Sequence, residues 1–348
     1  MATIHRVQLP TQPDKVTMPT TAHRQESTTT GTRKKGLLVL LLSCCLAAAA
    51  AVGMEPSDAS AIADLVQSLA TPPSSWTAGG DACTTFEGIT CSASGRVTAI
   101  DLAGKGLAGT LPPSLSSLTA LESLQLRGNS LTGVVPAVLG EIATLRNVSL
   151  SGNFLQGPVP RFAKGVAADD VVDGNSFCSD EPGRPCSAQV SALLRVAEGF
   201  GYPVSLARTW RGNDPCQSWQ GLACVTEPDV SRIFLHAANF SGTISPAMAN
   251  LTELRRLDLG ENRLAGEIPD ALATLPKLGF LDVTNNRLTG QLPKFRPSVR
   301  VLSDGNAFWA PSPSPSLSRD AAAAAASSKL NAGSILIVIG VLVALLVT

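Results

Sequence analysis

The stretch LRRLDLGENRLAGEIP, residues 254–269, decides the fold. It follows the pattern L-x-x-L-x-L-x-x-N-x-L-x-G-x-[IVL]-P, which is typical of a leucine-rich repeat. The L-x-L segment predicts a short strand whose leucines point into the interior of a coil. Asn262 stands where the chain leaves that strand. We expect its buried amide to hydrogen-bond the backbone of a neighbouring coil.

The repeat recurs every 24 residues in two separate groups. Its second strand leucine is replaced only by Val, and the aligned residues are Leu102, Leu126 and Leu150, then Leu235, Leu259 and Val283. The repeat asparagine is present at Asn129, Asn153, Asn262 and Asn286, whereas Lys105 and Ala238 replace it in the first coil of each group. The groups end alike, in DGNSF (173–177) and DGNAF (304–308). These observations predict two solenoid blocks of about three coils each.

A second duplicated unit precedes each block. CTTFEGITC (83–91) and CQSWQGLAC (216–224) share one template of Cys, aromatic, Gly and Cys, and a Trp precedes each, Trp76 and Trp210. Apolar residues at helical spacing come before each Trp. They are Ile62, Leu65, Val66 and Leu69 in the first unit and Val190, Leu193, Leu194 and Ala197 in the second. Solenoid ends need caps, so we interpret both units as helical N-terminal caps.

The cysteines favour disulfides and an oxidising compartment. Cys44 and Cys45 lie in an apolar run, and the other six allow fifteen connectivities. The duplication favours sequential pairing, Cys83–Cys91, Cys178–Cys186 and Cys216–Cys224. A zinc site is the alternative, but C-x-x-C spacing and His partners are absent from the sequence.

Both termini carry apolar runs. GLLVLLLSCCLAAAAAV (36–52) follows basic residues and predicts a signal peptide, with translation from Met18, an uncleaved anchor and a plastid transit peptide as alternatives. Residues 332–348 reach the short limit for a membrane-spanning helix, and a Pro/Ser/Ala stalk precedes them. A glycosylphosphatidylinositol (GPI) anchor attached near residues 320–322 is the alternative tether.

These features divide the chain into seven segments. They are an N-terminal extension with signal peptide (1–52), a first cap (53–95), a first repeat block (96–177), an island with the second cap (178–229), a second repeat block (230–308), the stalk (309–331) and the transmembrane helix (332–348). The predicted fold class is an α/β solenoid with two short plant-type leucine-rich-repeat blocks, each with a helical, disulfide-bonded N-terminal cap.

Composition and motifs argue against several functions. The 348 residues carry no net charge and no basic stripe, which disfavours nucleic-acid binding. Gly104, Gly106 and Gly109 form a G-x-G-x-x-G string, but the repeat register explains Gly109 and two prolines follow where a phosphate-binding helix would start. No protease, hydrolase or kinase motif occurs in the sequence. We therefore predict no catalytic residue, no cofactor and no metal.

Three sequons fall in the predicted lumenal part, at Asn147, Asn239 and Asn250. With disulfides and a signal peptide, they predict a glycoprotein.

The sequence resembles the ectodomain of the plant TMK subfamily of leucine-rich-repeat receptor-like kinases. The resemblance rests on GNSFCSDEPGRPC (174–186), on the cap sequence through CQSWQGLAC, and on the repeats that follow, and it covers about residues 58–308. Here the first block is shorter than in that family, and no kinase sequence follows the apolar C-terminal run. The resemblance implies ligand perception at the plasma membrane, with an auxin-binding partner among the implied partners.

The resulting hypothesis is a single-pass plasma-membrane protein whose extracellular domain binds a peptide, a protein or another receptor ectodomain, as a receptor-like protein, co-receptor or decoy without a kinase. The alternatives are a GPI-anchored or cell-wall structural or inhibitor protein, and a truncated form of a TMK-type receptor kinase.

Position counting places the ligand contact on the concave surface of the second block. Residues between and after the strand leucines face that surface. The candidate ligand-binding residues are Arg232, Phe234, His236, Arg256, Asp258, Phe280 and Asp282, with Thr284 beside them. Aromatic and Arg side chains are enriched in binding hot spots. The first block has mostly small or polar residues there: Asp101, Gln125, Arg127, Asn147, Ser149 and Ser151. The alternative is that Phe234 and Phe280 only pack along the surface.

Overall fold

The structure is a computed structural model that describes residues 53–77, 79–225 and 228–309. The predicted signal peptide, the stalk from residue 310 and the predicted transmembrane helix (332–348) lie outside these residues. Within the described ranges, no helix is both long enough and apolar enough to cross a membrane.

Short elements alternate along the described chain. The α-helices are α1 (Pro56–Ser68), α2 (Ala82–Thr85), α3 (Ala188–Gly199) and α4 (Val204–Ala207). The first-half strands are β1 (Ile89–Cys91), β2 (Val97–Asp101), β3 (Ala108–Gly109), β4 (Ser123–Gln125), β5 (Ser130–Val134), β6 (Asn147–Ser149), β7 (Phe154–Gly157), β8 (Ala167–Asp170) and β9 (Ser176–Phe177). The second-half strands are β10 (Leu222–Cys224), β11 (Val230–Phe234), β12 (Ser241–Thr243), β13 (Arg256–Asp258), β14 (Arg263–Gly266), β15 (Phe280–Asp282), β16 (Arg287–Leu288) and β17 (Arg300–Leu302). One-turn 3₁₀ helices lie at Pro113–Ser117, Ala137–Glu141, Pro246–Asn250 and Asp270–Thr274.

The strands form one main sheet in each block. The orders are β1-β2-β4-β6-β8 and β10-β11-β13-β15-β17, and a lateral sheet accompanies each one, β3-β5-β7-β9 and β12-β14-β16. Strands β1 and β10 are antiparallel to their neighbours, whereas the repeat strands are parallel. The predicted leucine-rich-repeat solenoid is thus confirmed. Each main sheet has four parallel strands in the described chain, one more than the three coils expected.

The extra coil in each block is its last one, which carries the sequence DGN at residues 173–175 or 304–306. Asn175 and Asn306 occupy the repeat-asparagine position, 22 and 20 residues after Asn153 and Asn286. Their side-chain oxygens accept hydrogen bonds from the N–H groups of Leu155 and Leu288, at 2.9 Å each. The final coils are shorter than 24 residues, so counting by a fixed period misses them.

The repeat asparagines connect successive coils as expected. The Asn262 side-chain oxygen accepts from the N–H of Phe240 at 2.9 Å, and its amide donates to the carbonyls of Leu235 at 2.7 Å and Leu259 at 2.9 Å. Asn262 is 8% exposed. Three backbone groups in the interior therefore depend on one side chain. Leaving any one of them unpaired would lower the stability of the fold by about 1–3 kcal/mol.

Each cap is fixed by a buried tryptophan. The Trp76 indole N–H donates to the carbonyl of Glu87 at 2.9 Å, and the Trp210 indole N–H donates to that of Gln220 at 3.0 Å. Trp76 stacks on Phe86 with ring centroids 5.2 Å apart. Trp210 stacks on Trp219 at the same distance. The structure contains the three expected disulfides, with Cα–Cα distances of 5.5 to 5.7 Å. The shared cysteine template therefore reflects one shared cap geometry.

The two cap helices correspond differently from the sequence expectation. Gly109 and Gly242 occupy equivalent turns, and a Cβ on either would lie about 2 Å from a helix carbonyl, that of Ser68 (2.2 Å) or of Gly199 (2.1 Å). Ile62 of α1 therefore matches Leu193 of α3, although Ile62 and Val190 are the residues that begin the two apolar sets in the sequence. The spacing misled because α3 is apolar on two faces: Val190, Leu193, Leu194 and Ala197 are all buried, whereas Val66 of α1 is only half-buried.

The second face of α3 is buried because the second cap also closes the end of the first block. The Gln156 amide donates to the Trp210 carbonyl at 3.2 Å, and the Ser176 hydroxyl donates to the Ala207 carbonyl at 2.7 Å. The Arg211 guanidinium donates to the carbonyls of Gly174 at 3.1 Å and Asn175 at 3.0 Å. The last coil of the first block is thereby covered, and the two blocks share one compact unit.

Tyr202 lies at this junction and is the only tyrosine in the chain. It lines a groove of about 610 Å³ between the first block and α3. A Cβ on Gly133 of β5 would lie 2.9 Å from the Tyr202 ring, so the glycine makes room for it. Burial, and to a smaller extent the nearby Glu198 carboxylate, raises the pKa of Tyr202 to about 12.

We therefore expect the single tyrosinate absorbance band of the native chain to titrate near pH 12, against about pH 10 in denaturant. The raised pKa means that the fold favours the neutral phenol. The contribution of Tyr202 to the free energy of unfolding is complete below about pH 10, and it is lost as the pH rises through the pKa of Tyr202 in the folded state. Glu198→Gln should lower the native midpoint partway. A native midpoint near 10 would contradict the docking of the two blocks through Tyr202.

Candidate functional site

The predicted concave surfaces correspond to the sides of the main sheets that point away from the core. We call the exposed side of β2, β4, β6 and β8 face 1, and that of β11, β13, β15 and β17 face 2. On face 2, strand register aligns side chains in rows across the four strands. The first row is Arg232, Arg256, Phe280 and Arg300, and the second is Phe234, Asp258, Asp282 and Leu302. The seven predicted ligand-binding residues all lie on face 2 or at its edge.

Face 1 has the same architecture with different chemistry. Its first row is Ala99, Ser123, Asn147 and Ala167, and its second contains Asp101, Gln125, Ser149 and Asp170. The second-row residues, with Asn147 and Ala167 of the first row, line an open cavity of about 380 Å³. The Ser149 hydroxyl donates to the Asp170 carboxylate, and this bond, followed by that from Ser151, lowers the pKa of Asp170. Asn147 is exposed, so its sequon opens onto this face.

Arg256 is the centre of face 2. Its guanidinium carbon lies 4.0 Å from the centroid of the Phe280 ring and 5.5 Å from that of Phe234. Its Nη2 also donates to the Asp258 carboxylate at 3.2 Å. Phe234, Arg256 and Phe280, three of the candidate ligand-binding residues, therefore form one contiguous cluster. Phe234 remains 40% exposed, so the cluster still offers an aromatic surface to solvent.

His236 connects the cluster to the edge of the face. Its Nδ1 lies 3.3 Å from the Asp258 carboxylate and its Nε2 lies 3.7 Å from that of Glu261. Gly260 leaves an indentation beside it, since a Cβ there would lie 2.8 Å from His236 Nδ1 and 3.1 Å from Asp282 Oδ1. Charged groups of both signs thus border the aromatic cluster.

Backbone conformation separates the two faces further. At the turn after each strand, the first block has glycine with positive φ in every coil: Gly104, Gly128, Gly152 and Gly174. The equivalent residues of the second block are Ala237 (φ 51°), Glu261 (φ 56°), Asn285 (φ 53°) and Gly305 (φ 74°). The left-handed conformation costs a residue with a Cβ about 1–2 kcal/mol, less for asparagine. Because the first block shows that glycine suits the turn, folding alone does not call for side chains there.

Sequence reasoning missed the fourth strand of face 2. Arg300, Leu302 and Asp304 follow a coil only 19 residues long from Val283 to Leu302, without the usual leucine pattern. The DGN sequence at 304–306 was the available signal. Among the described residues, no group of acidic, His and Cys side chains is arranged to hold a metal ion.

Comparison with known proteins supports the fold and the resemblance. The family model described as Leucine rich repeat N-terminal domain matches residues 55–92 and 186–225, the two caps. The model described as Leucine Rich Repeat matches residues 120–142 and 253–275, one coil in each block. The matched residues confirm that the cap and the repeat are each present twice.

Plant receptor kinases are among the relatives. The chain is 63% identical over 144 residues to the receptor protein kinase WSS1 of Oryza sativa subsp. japonica, which covers 41% of this chain and 16% of that protein. It is 47% identical over 81 residues to the receptor-like kinase TMK2 of Arabidopsis thaliana (23% of this chain, 9% of that protein). It is 45% identical over 92 residues to TMK4 (26% and 10%). The predicted TMK resemblance is confirmed. The chain spans about a sixth or less of the length of these relatives.

The strain in the second block can be measured with a reciprocal pair of substitutions. Ala237→Gly should raise the free energy of unfolding by about 1 kcal/mol, because glycine adopts positive φ without steric cost. Gly104→Ala, at the equivalent turn of the first block, should lower it by a similar amount. No atom lies within 4 Å of the added Cβ, so backbone strain is the cause. Urea unfolding of both variants provides the measurement. If Ala237→Gly is destabilising, the side chain at that turn supports the fold.

Proposed function

We propose that this chain is a plant cell-surface, receptor-like ectodomain and that face 2 binds an extracellular peptide, a protein or the ectodomain of a partner receptor. The single observation that carries the proposal is the difference between two equivalent faces. The second block keeps non-glycine residues in left-handed turns beside an aromatic and charged cluster, whereas the first block has glycine turns beside a small, polar face. Residual backbone strain of this kind clusters at functional sites.

The chemistry of face 2 suits protein recognition. Aromatic and Arg side chains dominate binding hot spots because they combine a large contact area with directional donors. Phe234 offers an exposed ring, and Arg256 is held by Phe280 and Asp258 before any ligand arrives. A side chain that is already ordered loses less entropy on binding. The proposed contact residues are Arg232, Phe234, His236, Arg256, Asp258, Phe280 and Asp282.

The relatives support the cellular setting of the proposal. Those reported above are named as receptor kinases, and the disulfides of this chain suit an oxidising compartment. We propose secretion through the signal peptide and N-glycosylation at Asn147, Asn239 and Asn250, all of which are exposed. An auxin-binding partner follows from the TMK resemblance. The chain itself is proposed to act without kinase activity, through its partner.

We further propose the domain order deduced from the sequence, with the stalk leading to a transmembrane helix at residues 332–348. Its apolar length and the TMK resemblance favour a helix over a GPI anchor.

Alanine substitutions test the proposed face. Phe234→Ala, Arg256→Ala and Phe280→Ala should each weaken binding of a partner, identified by crosslinking on intact cells and then purified, by more than about 1 kcal/mol. Gln125 and Ser149 of face 1 occupy the positions equivalent to Asp258 and Asp282 of face 2. The variants Gln125→Ala and Ser149→Ala should bind like wild type. Binding would be measured by calorimetry with the purified chain. Wild-type affinity in all three face 2 variants refutes the site, and loss only in the face 1 variants moves it to the first block.

Enzymatic release tests the tether. Phosphatidylinositol-specific phospholipase C should leave the protein on intact plant membranes, because a protein helix contains no lipid bond that the enzyme cleaves. A known GPI-anchored protein on the same membranes serves as the control for enzyme action. Release of the chain together with that control contradicts the transmembrane helix.

A further inference from the structure

The first row of face 2 contains arginine at three of its four positions. Strand register places Arg232 directly opposite Arg256, and Phe280 directly opposite both Arg256 and Arg300. Adjacent strands lie about 4.8 Å apart, so side chains in one row are neighbours. Like charges directly opposite each other in a sheet are destabilising. The row therefore carries an electrostatic cost that the rest of the fold must offset.

The first block shows that the solenoid does not need this row. Its equivalent residues are Ala99, Ser123, Asn147 and Ala167, all uncharged. Both blocks have the same type of cap and the same repeat asparagines, and their first three parallel strands pair in the same register. The charged first row thus occurs only in the second of the two blocks, and the solenoid fold does not require it.

The arginines are compensated unequally. Arg256 is paired with Asp258 at 3.2 Å. No ion pair within 4.0 Å involves Arg232 or Arg300 among the residues that the structure describes. In the second row, Asp258 is paired with Arg256 and His236. Asp282 accepts the Thr284 hydroxyl at 2.7 Å, and none of the ion pairs within 4.0 Å among the described residues joins it to Arg232 or Arg300. Positive charge therefore remains available at both ends of the row.

Arg256 is also incompletely satisfied. Its Nε is buried and has no hydrogen-bond partner, although its guanidinium is held between Phe280 and Phe234. A planar guanidinium fixed in this way presents its donors in one orientation, which suits a planar carboxylate. The exposed ring of Phe234 lies beside it and offers apolar contact.

We propose that the row Arg232, Arg256, Phe280 and Arg300 binds the carboxylates of an acidic peptide segment that lies across the strands of face 2. This assignment rests on the proposed function and names its ligand chemistry. Carboxylates between the arginines remove the like-charge repulsion, and the apolar part of the segment packs on Phe234. The carboxylate comes either from acidic side chains or from a peptide C-terminus.

The test uses the full chain and defined peptides. The probes are an acetylated, amidated glutamate octapeptide, its glutamine counterpart, and the glutamine peptide with a free C-terminus. Arg232→Gln and Arg300→Gln should each weaken binding of the glutamate peptide about tenfold or more, the equivalent of one charge-assisted hydrogen bond. Arg263→Gln and Arg287→Gln remove exposed arginines from the lateral sheet of the same block and should bind like wild type.

The three probes separate the sources of the carboxylate. Preference for the glutamate peptide indicates acidic side chains, and preference for the free-terminus glutamine peptide indicates a C-terminal carboxylate. Equal binding of the amidated glutamine peptide, or no detectable binding of either carboxylate probe, overturns the assignment.

Stability gives a readout that needs no ligand. Arg232→Gln should raise the thermal midpoint because it removes the repulsion with Arg256, whereas Arg263→Gln should leave the midpoint unchanged. A lower midpoint for Arg232→Gln would assign the row a structural role and refute the inference.

The outcome also distinguishes this inference from the proposed function. If the Phe234→Ala and Phe280→Ala variants no longer bind the crosslinked partner but the Arg232→Gln and Arg300→Gln variants still do, only the carboxylate assignment fails. If neither series affects the partner, the proposed function of face 2 fails as well.

Discussion

The buried asparagine amide is the interaction on which both blocks depend. In each coil after the first, its oxygen accepts an N–H from the preceding coil, and its nitrogen donates to carbonyls of that coil and of its own. Where the chain turns away from the strand, these backbone groups have no sheet partner and no access to water. The amide is short and carries a donor and an acceptor on one rigid plane, so it satisfies all three groups at once. The coils can then stack closely enough to bury the leucines.

The first coil of each block has no preceding coil to pair with, and side chains of the caps accept the hydrogen bonds of its backbone instead. At the start of the first block, the Asp58 carboxylate accepts the Val97 N–H at 2.7 Å and pairs with Arg96. At the start of the second, the Gln189 side chain accepts the Val230 N–H at 2.5 Å. A neutral amide replaces a buried carboxylate at the same place, so the requirement is for an acceptor and not for a charge. The second cap also covers the last coil of the first block, and this explains why its helix is apolar on two sides.

The duplication provides an internal reference for function. Two blocks with the same type of cap, the same repeat asparagines and the same register in their first three parallel strands differ on their exposed faces, and the solenoid fold does not account for such differences. Face 1 is small and polar, with glycine at its turns. Face 2 has the Arg256 cluster, side chains in left-handed turns and an arginine row. The left-handed turns and the arginine row are costly for stability, so the solenoid fold does not account for them, and this favours a role in binding.

The sequence by itself determined the repeat fold, the two blocks, the disulfides and the side of the sheet on which the seven candidate residues lie. These depend on local spacing: alternation along a strand and a cysteine template do not change with distant contacts. It did not determine the last coil of each block, because a shortened coil keeps its asparagine but loses its leucine spacing. Nor did it determine the match of α1 with α3, since helical periodicity reports every apolar face and not its partner. Only the tertiary structure placed Arg256 between two phenylalanines, set Arg232 opposite Arg256 and exposed the strained turns. Those relations arise between residues about 24 positions apart in sequence, and only the stacking of coils brings them into contact.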